Sequence, residues 1–443
     1  MQYISTDGST RSTLDRAFGA CYAQGQALYM PETYPAVPRA YLNNIADMSL
    51  PEIAYVVTGL LLGDSVPLDV LKAVVDDSFN FDIPLRPLGD SGMQILELFG
   101  GPTMAFKDIS IRFMARFMQA HASRRQGPAL LLVATTGNTG AAVARAFADM
   151  PGLHVLVLYP RGAMDAAQLA QFDSLPSHIH TAEVSGTIAD CKRMVRGAIT
   201  DTAPIPGLLI ASGNTHNVIR LIPQVAYFFH AYARLRERGA VADTFDISIP
   251  CGNLSNLTSA VMARRMGLPI GTIVAGCASN DTLPRVLDGS LDPAQVTALD
   301  VHTLARAMDS GFPTNLPRLL WLYGGSPVRM AADVRACSVS DDEIVAVIRE
   351  VRDRHGYLMD PHTAVAYAAA SRAGLPSGRP AVVLATAHPA KEPAVMRGIV
   401  CDVAELSQQP RRFNGNHSSR HTARMAPTLQ ALKRFIHNNI INN

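Results

Sequence analysis

One lysine lies where a long apolar helix is expected to begin. Residues 101–109 read Gly-Pro-Thr-Met-Ala-Phe-Lys-Asp-Ile and place Lys107 at the head of an apolar stripe. That stripe consists of Phe106, Ile109, Phe113 and Phe117. A helix of about four turns can bury it while the first turn faces a cleft. Burial and the positive end of a helix both lower an amine's pKa, favouring the free base that forms Schiff bases with carbonyl compounds. The alternative is a surface lysine paired with Asp108.

A glycine-rich turn joins a predicted strand to an alanine-rich helix at residues 131–141. Gly137 and Gly140 permit tight backbone turns. Asn138 offers an amide at the carboxyl end of the strand, where open α/β sheets bind ligands. The loop lacks the residues of a P-loop and of the dinucleotide-binding fingerprint. It is therefore either a ligand-binding turn of another kind or a structural turn.

A second junction of this kind covers residues 249–256 and leads into a predicted helix from Leu257 to Met266. The backbone N–H groups of Gly252 to Asn256 would point at an anion on the helix end, so a phosphate could bind there without a basic side chain. The alternative is an ordinary helix N-cap by Ser255 or Asn256.

A hydroxyl ends the buried strand that precedes residues 386–391. Thr386 could hydrogen-bond a neutral pyridine nitrogen, an arrangement that favours elimination and replacement over transamination. Alternatively, Thr386 only ends the strand, with its hydroxyl hydrogen-bonded within the protein. We interpret His178, His180 and His388 as structural or exposed, because no acidic or cysteine companions stand at metal-ligand spacing. The six cysteines form no C-x-x-C pair, so we expect neither a zinc site nor a disulfide framework.

The composition is that of a soluble metabolic enzyme. The 443 residues suffice for two or three domains, and 48% are hydrophobic while 17% are charged. A net charge of +2 gives no reason to expect nucleic acid as a partner. Residues 1–7 do not resemble a secretory signal, and the apolar stretch from Ile53 to Leu62 is about half a membrane span. We therefore expect a cytoplasmic protein without a membrane partner.

The hydrophobic period changes along the chain. From Ser9 to about Ser78 it is mostly helical, and a further helix is predicted from Thr428 to His437. Between them, short buried strands alternate with helices. The predicted strands are Gln94 to Phe99, Ala129 to Ala134, His154 to Leu158, Leu208 to Ser212, Ile247 to Ile249, Ile273 to Gly276 and Ala381 to Ala385. This alternation indicates parallel sheets covered by helices on both faces.

In order, these segments resemble the long bacterial and fungal form of the threonine synthase family, whose members have the tryptophan synthase β-like fold. The resemblance covers nearly the whole chain. Its segments are residues 27–31, 97–108, 159–162, 307–309, 360–367 and 386–391. It implies an α/β protein with two parallel-sheet domains after a mostly helical N-terminal region. The implied boundaries are 1–92 for that region, 93–240 and 241–405 for the two α/β domains, and 406–443 for a C-terminal loop and helix.

The resemblance also implies that pyridoxal 5'-phosphate is the cofactor. Lys107 matches the Schiff-base lysine, Thr386 the threonine that faces the pyridine nitrogen, and Asn138 a residue beside the ring oxygen. The loop that would hold the cofactor phosphate comprises Gly252, Asn253, Leu254, Ser255 and Asn256.

On the substrate side, the resemblance implies that O-phospho-L-homoserine and water are converted to L-threonine and phosphate. Arg220 matches an arginine expected near the substrate phosphate. The other implied substrate-binding residues are Thr135, Thr136, Ser212, Asn214 and Asn217. The partner is thus a small phosphorylated amino acid, and the sequence leaves a monomer or a homodimer open.

The chain departs from the pattern of that family at several substrate-side positions. Gly100 stands where the family has histidine, Asn138 where it has aspartate, Ala163 where it has lysine and Ala211 where it has asparagine, and residues 254–255 replace Phe-Gly. These changes bear on the substrate more than on the cofactor. They leave open a paralogue that uses another O-phosphorylated amino acid. A catalytically idle interaction protein is a third hypothesis, against which the retained Lys107 and Thr386 argue.

Overall fold

The strands form three separate sheets in this computed structural model. It describes residues 1–125, 128–135, 138–164, 169, 172, 175–201, 205, 207–240, 243–297, 301–309, 311–401, 404–407 and 422–441. The strands are β1 (Tyr3–Ser5), β2 (Arg11–Ser12), β3 (Tyr29–Pro31), β4 (Leu85–Pro87), β5 (Met93–Glu97), β6 (Ala129–Ala134), β7 (Leu153–Pro160), β8 (Ile179–Val184), β9 (Leu209–Ser212), β10 (Phe245–Pro250), β11 (Ile270–Cys277), β12 (Val334–Ser338), β13 (Ala381–Ala385) and β14 (Thr422–Met425).

Helices surround these sheets. They are α1 (Leu14–Ala20), α2 (Arg39–Asn44), α3 (Leu50–Leu62), α4 (Leu68–Ser78), α5 (Lys107–Arg125), α6 (Asn138–Phe147), α7 (Ile188–Ile199), α8 (Gln224–Glu237), α9 (Ser255–Arg265), α10 (Thr282–Leu287), α11 (Leu316–Leu322), α12 (Pro327–Ala331), α13 (Asp341–His355), α14 (Pro361–Arg372), α15 (Pro393–Val400) and α16 (Leu429–Ile436). A π-helical turn, His437–Ile441, follows α16. No helix in the described ranges combines the length and the apolar character that a membrane span requires.

Two of the sheets are built mainly from parallel strands, as the alternating pattern predicted. The larger has the order β12-β11-β10-β13-β5-β4, and only β4 runs antiparallel to its neighbour. The other has the order β14-β8-β7-β6-β9 and is parallel throughout. A small antiparallel sheet, β2-β1-β3, lies in the N-terminal region. This confirms the predicted α/β class.

Each predicted strand is present, and the ranges of β6 and β13 coincide with the predicted ones. The pattern missed the short strands β1 to β4, which lie within residues 1–92, the region predicted to be mostly helical, and it also missed β8, β12 and β14. In β12 only Val334 is fully buried, and β8 carries a histidine, a threonine and a glutamate. Half-buried strands of this kind lack the continuous apolar run that identifies a strand covered on both faces. A prediction based on continuous apolar runs therefore does not find these strands.

The sheets do not follow the predicted chain boundaries. Strand β5 pairs with β13 in the larger sheet, although the boundary at residue 93 assigned it to the first α/β domain. Strand β14 pairs with β8 in the five-stranded sheet, although it lies beyond the boundary at 405. Strand pairing joins segments that are far apart in sequence, so contiguous boundaries cannot represent it.

Helix α5 begins at Lys107, as predicted, and runs for 19 residues. Ile109, Phe113 and Phe117 are buried in the main hydrophobic core, which also contains residues of α3, α4 and α8. The start of the helix is joined to the end of β13, because Ala105 forms a β-bridge with Ala387. Residue packing thus directs the stripe inward and the first turn toward the carboxyl end of the larger sheet.

We expect Gly101→Ala to destabilise the segment that precedes α5. An added Cβ would lie 2.5 Å from Asp108 Oδ2 and 2.6 Å from Asp108 Cβ, and Asp108 is held in place by Thr103. Overpacking of this kind costs about 1–3 kcal/mol. The measurement is the thermal unfolding midpoint. Gly398→Ala is the control, because a Cβ there meets nothing within 4 Å. Equal midpoints for the two variants would contradict this account of the packing.

Candidate active site

A cleft opens where the carboxyl ends of the two larger sheets face each other, and it contains about 690 Å³ of empty space, including its open mouth. Many of the predicted site residues line it. They are Lys107, Asn214, Arg220, Gly252, Asn253, Leu254, Ser255, Asn256 and Thr386. The topology thus brings together residues from five different segments of the sequence.

The amine of Lys107 lies in a desolvated, positively charged environment. Burial, followed by the charges of Arg220 and Lys391, lowers the pKa of Lys107 to about 8, and Glu392 opposes the shift. Asp108 is not its partner, since its carboxylate accepts hydrogen bonds at 2.7 Å from both the backbone N–H and the hydroxyl of Thr103. The alternative of a surface lysine paired with Asp108 is therefore wrong.

The loop from Gly252 to Asn256 presents its backbone to the cleft. Helix α9 begins at Ser255, and the residue before it, Leu254, has a left-handed backbone with φ of 62°. No side chain caps the helix, so the alternative of an ordinary N-cap by Ser255 or Asn256 is wrong. Within the described chain, the N–H groups of Gly252, Asn253 and Leu254 have no protein acceptor. Free N–H groups ahead of a helix N-terminus suit a phosphate.

Side-chain amides hold this loop in place. Asn253 donates from Nδ2 to the Thr215 hydroxyl at 2.8 Å and accepts at Oδ1 from the Thr314 N–H at 2.6 Å. Asn315 donates from Nδ2 to the Asn253 carbonyl at 2.8 Å and to the Thr215 hydroxyl at 3.2 Å. The loop after β10 is thereby tied to the loop after β9, which belongs to the other sheet.

Arg220 is a buried cation in the cleft wall. Its Nε donates to the Ser110 hydroxyl at 3.0 Å and its Nη1 to the Gly213 carbonyl. Burial lowers the pKa of Arg220 to about 9. No carboxylate among the described residues contacts this guanidinium. A buried charge without a counter-charge is costly, so an anionic ligand would be strongly favoured beside it.

A second fully buried arginine, Arg318, lies behind the cleft. It donates to the carbonyls of Tyr29, Thr215 and His216 and to Asn315 Oδ1, with Nε–O 3.2 Å to Tyr29 and Nη2–O 2.7 Å to His216. Arg318 thus supports Thr215 and Asn315, the two residues that hydrogen-bond Asn253 in the loop after β10. Sequence reasoning missed it, although an arginine inside the apolar run of α11 was a usable signal.

Thr386 ends β13 with its hydroxyl at the cleft, and its carbonyl accepts the Phe106 N–H at 2.9 Å. Lys391 lies farther along the same loop and donates from Nζ to the Thr103 carbonyl at 2.7 Å. Burial lowers the pKa of Lys391 to about 8. These contacts connect the loop after β13 to both sides of the turn that carries Lys107.

Two predicted substrate-binding residues lie behind the wall of the cleft instead. Ser212 is fully buried, and its hydroxyl accepts the Asn214 N–H at 3.1 Å. Asn217 is fully buried as well, donating to the Phe18 carbonyl at 3.1 Å and accepting from the Ile219 N–H at 3.2 Å. Both side chains shape the loop after β9, and neither is among the described residues that line the cleft.

The loop after β6 contributes a residue that was not predicted. Thr139 lines the cleft, whereas the hydroxyl of Thr135 accepts the Gly140 N–H at 3.3 Å and does not line it. Thr136 lies outside the described residues. Asn138 begins α6, but its side chain is also outside the described part of the chain.

The departures from the family pattern have different structural settings. A Cβ on Gly100 would lie 2.3 Å from the Asp82 carbonyl oxygen, so this backbone leaves no room for a side chain. Ala211 is fully buried within β9. Ala163 is exposed just after β7. A side chain at position 100 would therefore require this segment or the backbone at Asp82 to shift.

Histidines outside the cleft have protein contacts. His178 Nε2 lies 2.9 Å from the Phe147 carbonyl, and the ring of His180 stacks on that of His154 at 6.0 Å. His388 Nδ1 accepts the Ala390 N–H at 3.1 Å. Over the described ranges, no group of three or more histidine, cysteine or acidic side chains is arranged to hold a metal ion.

Two cleft residues, Thr215 and His362, were not singled out from the sequence. Thr215 belongs to the same loop as Asn214. Only the fold shows that its hydroxyl contacts Asn253, in the loop from Gly252 to Asn256. His362 was part of a segment that carried the family resemblance, but its type and spacing alone assigned it no role. A histidine two residues after an aspartate at a helix start was the available signal.

Comparisons with known proteins agree with this geometry. The family model for pyridoxal-phosphate dependent enzymes matches residues 96–387, and the model for the threonine synthase N terminus matches residues 2–79. Threonine synthase of Escherichia coli (strain K12) is 33% identical over 408 residues, which cover 92% of each chain. That of Haemophilus influenzae is 34% identical over 380 residues, or 86% of each chain.

Solved structures give the same result. Threonine synthase from Escherichia coli has a TM-score of 0.86 at 29% identity, covering 99% of this chain and 100% of that one. A threonine synthase from Brucella melitensis, determined with pyridoxal phosphate bound, has a TM-score of 0.86 at 26% identity, covering 99% of each chain. The two family models together cover most of the sequence, as do relatives above 30% identity, so this chain belongs to the threonine synthase family of pyridoxal-phosphate-dependent enzymes.

Proposed function

We propose that the protein converts O-phospho-L-homoserine and water to L-threonine and phosphate, as a lyase that breaks a carbon–oxygen bond to a phosphate group. One observation carries the proposal. The cleft combines an amine of lowered pKa, Lys107, with a buried guanidinium, Arg220, that has no carboxylate partner among the described residues. Such a site can hold a phosphorylated amino acid and move protons on its carbon chain.

The described residues fit pyridoxal phosphate. The N–H groups of Gly252 to Leu254 lack acceptors, the amine of Lys107 would bind the aldehyde carbon, and the Thr386 hydroxyl would hold the ring nitrogen. When bound, the cofactor withdraws electrons from the amino acid joined to it and so stabilises negative charge on the substrate's carbons. A hydroxyl partner leaves the ring nitrogen unprotonated, which suits elimination and replacement.

Lys107 would act as the general base and acid. A pKa of about 8 leaves a substantial fraction of the amine unprotonated near neutral pH, so it can remove a proton and later return one. In the proposed reaction it removes protons from Cα and then Cβ of the substrate. After phosphate has left from Cγ, a proton is returned to Cγ, which becomes the methyl carbon. Water then adds its hydroxyl at Cβ and gives up its other proton, and Lys107 returns a proton to Cα.

Arg220, Asn214 and Thr215 would hold the substrate phosphate. Asn214 uses its side chain to pair with the backbone of Ala134, at 2.9 Å through Nδ2 and 3.1 Å through Oδ1, which leaves one N–H for a ligand. The Thr215 hydroxyl accepts from two amides, so its own proton remains available for an anion. The leaving group would therefore be bound by one cation and two neutral donors.

No observation favours the alternative of a paralogue with another phosphorylated substrate. The relatives at 33–34% identity are named threonine synthase and align over 86% or more of this chain. Gly100, Ala163 and Ala211 motivated that alternative. In this fold a Cβ at position 100 would meet the Asp82 carbonyl oxygen, Ala163 is exposed and Ala211 is buried within β9. An idle interaction protein is not supported either, because the cleft retains both Lys107 and Thr386.

Lys107→Ala should abolish turnover of O-phospho-L-homoserine, because the covalent anchor and the proton-transferring base disappear together. We expect a loss of more than about a thousandfold in kcat. Phosphate release measures it. Lys72→Ala is the control, since Lys72 is exposed and pairs with Asp76. A loss below roughly tenfold would be too small for this role.

Gly252→Ala should weaken cofactor binding. The added Cβ would lie 2.7 Å from Met308 Cα and 2.9 Å from the Ala307 carbonyl oxygen, so the loop or the turn above it must move. A penalty of about 1–3 kcal/mol corresponds to roughly 5- to 150-fold in Kd. Equilibrium dialysis with pyridoxal phosphate measures the change, and Gly152→Ala, whose Cβ meets nothing within 4 Å, is the control. Equal affinities for both variants would place the phosphate elsewhere.

Arg220→Ala should retain the cofactor but lose most activity on O-phospho-L-homoserine. Loss of a charge-assisted contact weakens transition-state binding by about 2–4 kcal/mol, or roughly 30- to 1000-fold in kcat/KM. The visible spectrum of the bound cofactor and the thermal midpoint report whether the site is otherwise intact. Ser110→Ala, which removes only a partner of Nε, should have a smaller effect. Near wild-type kcat/KM in Arg220→Ala would show that the leaving group is bound elsewhere.

A further inference from the structure

A buried aspartate–histidine pair forms part of the cleft wall. His362 lies in the first turn of α14, and its Nδ1 is 2.6 Å from Asp360 Oδ2. Asp360 also caps the helix by accepting the N–H groups of His362 at 3.2 Å and Thr363 at 3.0 Å. Both side chains of the pair are nearly inaccessible to solvent. The position and rotation of the imidazole are therefore set by the helix start.

The other ring nitrogen accepts a backbone hydrogen bond. The Ala307 N–H donates to His362 Nε2 at 3.2 Å. A nitrogen that accepts must carry a lone pair, so this bond forms only when the ring is neutral with its single proton on Nδ1, toward Asp360. Protonation at Nε2 would place two donors face to face and break the bond to Ala307.

Ala307 belongs to the turn formed by residues 305–309, which covers the phosphate loop. The backbone at Ala307 and Met308 approaches Gly252 so closely that a Cβ there would lie 2.7 Å from Met308 Cα. Both Ala307 and Met308 line the cleft. The turn is also held by Asn280, whose Nδ2 donates to the Met308 carbonyl at 3.1 Å. Any movement of Ala307 is therefore transmitted to the loop beneath it.

We propose that His362 is a positioning residue that, in its neutral form, holds the 305–309 turn against the phosphate loop, and that its protonation releases the turn and weakens binding of the cofactor phosphate. The inference rests on the proposal that Gly252 to Asn256 hold that phosphate. It assigns His362 no contact with the reacting atoms.

The charged groups around the imidazole decide where it titrates. Asp360 faces it from its own helix, Glu392 from the loop after β13 and Lys107 from the start of α5. Burial and Lys107 lower the pKa of His362, but Asp360 and Glu392 outweigh them and raise it above its usual value. The neutral form predominates at pH above this raised pKa and is lost as pH falls through it, so the turn is released as the pH is lowered.

Glu392 offers an alternative acceptor for the protonated ring. Its Oε2 is buried and has no hydrogen-bond partner within the described chain. Burial raises the pKa of Glu392, and the carboxyl group interacts electrostatically with His362 and with Arg306 and Asp309 of the same turn. A proton on His362 Nε2 would thus favour contact with Glu392 over contact with the N–H of Ala307.

The test compares wild type with His362→Gln and His362→Leu. A glutamine carbonyl can accept the Ala307 N–H but does not titrate, whereas leucine cannot accept it. The probe is pyridoxamine 5'-phosphate, which cannot form a Schiff base with Lys107. Its Kd for the apoprotein is measured by equilibrium dialysis from pH 6 to pH 8.5. Because the probe ionises identically for each protein, the ratio of Kd values isolates His362.

At pH 8.5 we expect wild type and His362→Gln to agree within about threefold and His362→Leu to bind about tenfold more weakly, as for one lost hydrogen bond. At pH 6 the wild type should bind about fivefold or more weakly than His362→Gln, since it alone becomes charged. Thermal midpoints of the free proteins at each pH identify any variant that has lost its fold. If His362→Leu has lost its fold, the ratio of the wild-type Kd to the His362→Gln Kd still tests the proposal.

The proposal would be overturned if the ratio of the wild-type Kd to the His362→Gln Kd stayed constant between pH 6 and pH 8.5. So would wild-type affinity of a folded His362→Leu protein at pH 8.5. The Gly252→Ala variant separates this failure from failure of the phosphate site, using the same probe. Weak binding by Gly252→Ala with unchanged His362 variants rejects only the role of His362. Unchanged binding by Gly252→Ala rejects the phosphate loop and, with it, this inference.

Discussion

The active site depends on one short stretch of backbone pairing, between residues 104–106 and residues 386–388. The backbone N–H of Phe106 donates to the Thr386 carbonyl at 2.9 Å, and the backbone N–H of His388 donates to the Met104 carbonyl at 3.1 Å. These bonds join the start of a long apolar helix to the end of a central strand of the larger sheet. Lys107 and Thr386, which would bind opposite ends of one cofactor ring, are held at a fixed separation because neither backbone can move without the other.

A second constraint joins the two sheets across the cleft. The hydrogen bond from Asn253 to Thr215 connects the loop after β10 with the loop after β9, and Arg318 supports both ends through Asn315 and the Thr215 carbonyl. The loop that would hold the cofactor phosphate is therefore coupled to the loop that would hold the substrate phosphate.

The electrostatics of the cleft point toward anionic ligands. Lys107, Arg220 and Lys391 each have a lowered pKa, for which burial is the largest cause, and for Lys107 the other two cations contribute as well. Anions brought by the cofactor and the substrate would relieve this repulsion. Two phosphorylated ligands would supply negative charge beside these three cations.

The local sequence determined the helix and strands that carry the reactive residues. The apolar spacing after Lys107 predicted the start of α5, and the runs at 129–134 and 381–385 predicted their strands, because both follow from periodicity within one segment. The segments around Lys107 and Thr386 were among those that carried the family resemblance. Tertiary structure alone decided which side chains face the cleft. The side chains of Ser212 and Asn217 are buried, whereas Thr215 and His362 line the cleft. Hydrogen-bond partners that fix these positions, such as Phe18, Asn253 and Ala307, lie far away in sequence. Hydrogen bonds between distant segments leave no periodic trace, so only the folded chain shows them.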